Sequence, residues 1–119
     1  MNWKQIIESY PNASQKMFEW IAENRKGFEA INTKVEVERN GRVEYLYLPH
    51  GHRWLYDFFT HCGYEYNLLC DSFGNYWAFD LFARERGHSY SCFPYETRNR
   101  SDAEFEMFSF AFKFLENKL

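Results

Sequence analysis

Apolar residues fill both faces of one stretch near the middle of the chain. In Asn75–Ala83, Trp77, Phe79 and Leu81 alternate onto one side, and Tyr76, Ala78 and Phe82 onto the other, with Asp80 interrupting. Tyr64–Cys70 reads as a second strand, joined to the first by the short polar break Asp71-Ser72-Phe73-Gly74. A strand apolar on both faces is covered on both sides, since either row left bare would meet water. The pattern predicts a central sheet built on this hairpin, with the flanking helices as its covers. Trp77, Phe79 and Leu81 are expected in one main core with Trp54, Phe58 and Phe112.

Before this stretch the period changes. Trp3, Ile6, Ile7 and Tyr10 recur at helical spacing as far as Pro11, which is expected to stop the helix. Asn12 and Gln15 offer an N-cap and its return partner for a second helix, with Met17, Phe18, Trp20 and Ile21 as its apolar side. Gly27 is the expected stop, with Arg25 and Lys26 at the negative end of the helix dipole, and Phe28–Asn32 reads as a connection.

A hairpin follows. Lys34–Arg39 and Arg42–Leu48 flank Asn40-Gly41, the residue pair that supplies the two positive-φ positions of a type I′ turn. Pairing Arg39 with Arg42 sets Val35 against Leu46, Glu36 against Tyr45 and Val37 against Glu44. One face then carries Val35, Val37, Leu46 and Leu48, while the other mixes charges with Val43, Tyr45 and Tyr47 and tolerates water. The hairpin is expected at the edge of the central sheet.

Pro49 ends the strand, and His50-Gly51-His52 leads into a helix with Trp54, Leu55, Phe58, Phe59 and Cys62 on one side, closed by Gly63. After a turn at Arg84–Gly87, His88–Phe93 reads as one more short strand, stopped by Pro94. Ser101 and Glu104 form a capping box for the last helix, whose Phe105, Phe108, Phe112 and Leu115 fall in one arc. Met107, Phe110 and Phe114 make a second arc, turned away from the first. A helix lying on one sheet buries one such arc, so the second calls for cover. The N-terminal helices, through Ile6, Trp20 or Ile21, are one candidate; a symmetric homodimer is the other.

The order is ααββαββ(β)α. It lacks both the β-α-β alternation of a parallel sheet and a glycine-rich phosphate loop. The fold class is α+β: an antiparallel sheet of four or five strands covered by helices, with an αβα sandwich as the form that covers both faces.

Composition narrows this further. A chain of 119 residues suits one domain and buries roughly two-thirds of its extended surface. The aromatic share of 22% fills such a core easily. A net charge of −3 is too mild to point to nucleic acid or an acidic membrane. Cys62, Cys70 and Cys92 are odd in number, and no apolar run of ~18 residues is present, so free thiols in the cytoplasm and no membrane are expected. The sequons at Asn12 and Asn99 then carry no glycan.

Tyr10–Ile21, Arg53–Phe59 with Gly63, and Thr97-Arg98 with Ala103-Glu104 and Phe105–Glu116 together resemble a pattern found in small uncharacterised proteins of Bacteroidetes and their phages. There an opening helix of the form YPxAxxKFxEWI precedes LYDFFxxxG and a closing helix of the form TRxEAExxAFxxAFxILE. The likeness touches about a third of the chain. This sequence departs by placing Asn99–Asp102 where the pattern has one or two residues, and by a closing helix richer in Phe. The resemblance implies a phage or mobile-element origin and brings no known activity.

Candidate chemistry is sparse. His50, His52, His61 and Asp57, with Cys62, are residue types of a zinc site and would suit a metal-dependent hydrolase. Their spacing is not that of a ligand motif, and loop and helix-leading roles account for His50 and His52. Cys62, Cys70 and Cys92 fall on apolar faces as small hydrophobes; His61 adjoins Cys62 but points about 100° away on a helix. Asp80 among aromatics calls for a partner such as an arginine. Arg84, Arg86, His88, Arg98 and Arg100, interleaved with Tyr90, Phe93 and Tyr95, suit phosphate contact and base stacking, though Glu85, Glu96, Asp102 and Glu104 dilute the field. No catalytic motif or cofactor is indicated. The expected function is a non-enzymatic accessory protein that contacts another protein, with Met107, Phe110, Phe114 and Tyr95 as surface candidates. Nucleic-acid binding through the arginines and the metal-dependent hydrolase are the alternatives.

Overall fold

The computed structural model describes residues 1–24, 31–70, 76–83, 88–91 and 99–119, with the backbone alone at 31, 32 and 88–91. Its elements run α1 (Trp3–Ser9), α2 (Pro11–Glu23), β1 (Ile31–Arg39), β2 (Arg42–Pro49), α3 (Trp54–His61), β3 (Tyr64–Cys70), β4 (Trp77–Ala83), β5 (His88–Ser91) and α4 (Arg100–Lys118). The α+β class holds. The single sheet does not: among the described residues β1 pairs only with β2, and the second sheet has the order β3-β4-β5, all antiparallel. Among the described residues the first hairpin is therefore a sheet of its own and not the edge of a larger one, so no single sheet of four or five strands is there for helices to cover.

Two compact units can be distinguished, Met1–Phe58 with Phe112–Leu119, and Phe59–Ala111. In the first, α1 begins at Asn2, whose side-chain oxygen accepts the Gln5 N–H at 3.1 Å. Pro11 does not so much stop α1 as begin α2, where a missing N–H costs nothing and a fixed φ suits the first turn. Asn12 is thus inside α2 and not its cap. The helix start is instead bound by Glu116 of α4, whose carboxylate accepts the N–H groups of Asn12 at 3.2 Å and Ala13 at 2.6 Å, and the Asn12 side-chain amide at 2.9 Å. The last turn closes at Asn24, whose backbone and side-chain amides both donate to the Trp20 carbonyl. Gly27 lies outside the described residues. Strand β1 begins at Ile31, within the stretch expected to be a connection.

The core of this unit gathers Ile6, Ile7, Met17, Ile21, Val35, Val37, Leu48, Trp54 and Leu55. Trp3 stacks on Trp54 at 5.6 Å between ring centres and meets Phe112 edge-on, and Phe58 lies between Phe112 and Trp20. Gly51, at φ 76°, lets the chain turn so that the Trp54 indole N–H donates to the Gly51 carbonyl at 3.1 Å.

In the second unit β3 and β4 pair from Tyr64 opposite Ala83 to Cys70 opposite Trp77, and β5 extends the sheet at Asp80 through Ala83. Ala78, Phe79 and Leu81 are buried, while Trp77 is half-buried. Phe79 meets Phe110, and Phe59 stacks on Phe108 and meets Tyr64 edge-on. Gly63, at φ 91°, ends the helical turn, its N–H donating to the Thr60 carbonyl. The break at Asp71–Gly74 lies outside the described residues.

Helix α4 starts two residues earlier than the capping box predicts. Asn99 is the cap: its side-chain oxygen accepts the Asp102 N–H at 2.8 Å, and its amide donates to the Asp102 carboxylate at 2.7 Å. Glu104 pairs with Arg100 at 3.3 Å instead of reaching back to Ser101. The four residues that depart from the Bacteroidetes pattern thus contain the cap. The two apolar arcs are in turn one face. Glu104 and Ala111 fill the gap between them, and Ala103, Glu104, Met107, Phe108, Ala111, Phe112 and Leu115 are all buried, a stripe covering roughly half the helix circumference at 100° per residue. Phe105, Phe110 and Phe114 are its half-buried rims.

Candidate interaction surface

Three of the four large hydrophobics exposed among the described residues lie on one strand. The hairpin has the register that its turn dictates, with Arg39 opposite Arg42, Val37 opposite Glu44, Glu36 opposite Tyr45 and Val35 opposite Leu46. Asn40 and Gly41 take φ of 52° and 74°, as a type I′ turn requires. Alternation then sends Val35, Val37 and Leu48 into the first unit's core, with Leu46 half-buried. It sends Val43, Tyr45 and Tyr47 outward, 57%, 53% and 52% exposed. The large hydrophobics exposed among the described residues are these three and Leu119. Lys34 sits over the Tyr45 ring at 4.2 Å, an attraction between cation and ring face. Arg39 and Glu44 make a loose pair at 3.9 Å on the opposite side.

The two edges of this hairpin differ. In a two-residue hairpin the residues flanking the turn exchange both hydrogen bonds, and every second pair after them does the same. Glu38, Glu36 and Lys34 thus turn their N–H and C=O groups away from β2, and Val43, Tyr45 and Tyr47 turn theirs away from β1. On the β1 side the Glu38 N–H donates to the Glu8 carboxylate of α1 at 3.1 Å. On the β2 side, among the described residues, the outward groups of Val43, Tyr45 and Tyr47 make no hydrogen bond.

The residues singled out in the sequence are placed elsewhere. Met107 is buried, and Phe110 is covered in part by Phe79 of β4 within the second unit. His50, His61 and Asp57 are exposed and His52 half-buried. Among the described residues no three His, Cys, Asp or Glu side chains come together as a metal site. Cys62 is half-buried, whereas Cys70 is exposed and not a buried hydrophobe; both are unbridged, and Cys92 lies outside the described residues. Asp80 is half-buried opposite Asn67 and Ser91. Of the basic cluster, Arg84, Arg86, Arg98, Phe93 and Tyr95 lie outside the described residues, His88 and Tyr90 are strand backbone in β5, and Arg100 is engaged by Glu104. No helix among the described residues is long and apolar enough to cross a membrane.

Sequence reasoning put Val43, Tyr45 and Tyr47 on the water-tolerant face and did not name them as a site. Their signal was available: three large apolar residues at period two, on the outer face of a hairpin whose turn fixes the register. Comparison with family models, curated proteins and solved structures finds no match for this chain.

Proposed function

We propose that this chain is a non-enzymatic accessory protein that acts by contacting another protein chain, of the phage or mobile-element kind that its resemblance implies. The observation that carries the reading is the outward row Val43, Tyr45 and Tyr47 on β2. Tyrosine suits a contact surface because its ring buries a large area at little cost in side-chain order, and its hydroxyl stays satisfied in water or at an interface. A photo-crosslinking amino acid at Tyr47, with a control at the exposed Lys113, tests it in extract of the native host. The reading predicts a dominant adduct at position 47 that unlabelled protein competes away and that position 113 does not give. Equal labelling at both positions, or none, would sink it.

A further inference from the structure

The β2 edge bears both an apolar row and unpaired backbone groups, and a second copy of this chain matches both. We propose that two copies join edge to edge through β2, antiparallel about a two-fold axis at Tyr45, into a four-stranded sheet; this rests on the reading of the hairpin as a contact surface. An exposed strand edge is a template for another strand, and folded proteins block edges that are not used. Here β1 is held at one of its outward positions, the Glu38 N–H donating to Glu8. Across β2 the outward groups of Val43, Tyr45 and Tyr47 have no hydrogen-bond partner among the described residues.

The strand is also complementary to itself. With Tyr45 on the axis, Val43 faces Tyr47 of the second copy on the outer side, an aromatic and β-branched pairing that favours antiparallel strands. On the other side Glu44 faces Leu46, and Arg42 faces Leu48, so no like charges are opposed. Tyr45 meets its own copy. The hydrogen-bonded positions of the new pairing are the same three residues whose backbone groups point outward. An axis at Glu44 would instead set two carboxylates face to face, and an axis halfway between residues would oppose outward-pointing to inward-pointing groups and leave nothing to pair.

Sedimentation of the full chain over a wide concentration range tests the dimer. The wild type is expected to dimerise, and Tyr45→Lys, which sets two like charges face to face, to be monomeric with an unchanged circular dichroism spectrum. Should Tyr45→Lys fail to fold, disulfide trapping decides. In a background of Cys62→Ser, Cys70→Ser and Cys92→Ser, Y45C places the two substituted positions about 5.5 Å apart, within reach of a disulfide, and is expected to cross-link on oxidation. E36C, roughly 14 Å from its counterpart across three strand spacings, is expected not to. A wild type that stays monomeric throughout, or a dimer that survives Tyr45→Lys, or equal trapping by Y45C and E36C, would overturn the proposal. A monomer whose position 47 still cross-links to a host protein would leave the contact surface standing with a different occupant, whereas a monomer with no adduct would remove both.

Discussion

At the scale of single residues, the backbone decides one position and burial another. Gly41 holds a φ of 74° with nothing within 4 Å of where a Cβ would stand, so a side chain there meets strain and not crowding. Gly41→Val is expected to lower stability by about 1 kcal/mol or more, because a β-branched residue resists positive φ. Thermal denaturation reads the change, and a Gly41→Asn variant, tolerant of that backbone region, should keep most of the loss back. Ser14 makes the opposite case. Its side chain is wholly buried in α2, and its hydroxyl has no hydrogen-bond partner among the described residues. Burying a lone hydroxyl is unfavourable, and alanine also suits a helix better. Ser14→Ala is expected to raise stability by about 0.5–1.5 kcal/mol, and a drop in the denaturation midpoint would show that the hydroxyl is satisfied after all.

Elements end where side chains satisfy their free amides, and those ends were the part least open to sequence reasoning. Ser101-x-x-Glu104 and Asn99-x-x-Asp102 are both capping patterns, overlapping by two residues, and local sequence cannot rank them. Glu104 decides the matter, because it is buried in the apolar stripe of α4 and paired to Arg100, so it cannot also turn back to Ser101. Asn99→Ala should therefore cost about 1 kcal/mol, while Ser101→Ala, at an exposed position, should stay within ~0.5 kcal/mol. Chemical denaturation of the two variants side by side reverses the ranking if the box is the true cap. Phe and Met alone mark two separate arcs on α4, whereas the buried Ala111 and Glu104 between them join the arcs into one face. Small residues carry little hydropathy but let a neighbour approach closely.

Across the molecule, contacts distant in sequence take over from local rules. Glu116 reaches back 104 positions to the start of α2 and supplies the acceptors that a side-chain N-cap would have given. A carboxylate at a helix N-terminus gains from both the free N–H groups and the dipole. Glu116→Ala should cost about 1–2 kcal/mol, with Glu116→Gln falling between, since its amide oxygen can accept from one N–H but its NH₂ group cannot. A Glu116→Ala protein as stable as the wild type would show that the cap is idle. In the second unit Phe79 is buried against Phe110 and stands opposite Leu68. Phe79→Ala should cost roughly 3–5 kcal/mol, a large share of the ~5–15 kcal/mol that a domain has, visible as a large fall in the urea midpoint.

The residue order alone was enough for the first hairpin, whose features depend only on neighbours. Asn40-Gly41 set the turn, the turn set the register, and period-two alternation sorted Val35 and Val37 inward from Val43, Tyr45 and Tyr47 outward. The positions of α3, β3, β4 and β5 followed in the same way from local period and from Pro and Gly punctuation. How the strands are shared among sheets did not follow. Hairpin pairing is closed by a turn of two residues, but joining one hairpin to another is a choice among free edges that no local pattern records. Here Glu8, 30 positions from Glu38, takes one N–H on such an edge, and the strands divide into a pair and a set of three. Tertiary structure likewise chose among rival caps and left the β2 edge open, because each of these depends on which distant group arrives first at an amide that the local chain leaves unpaired.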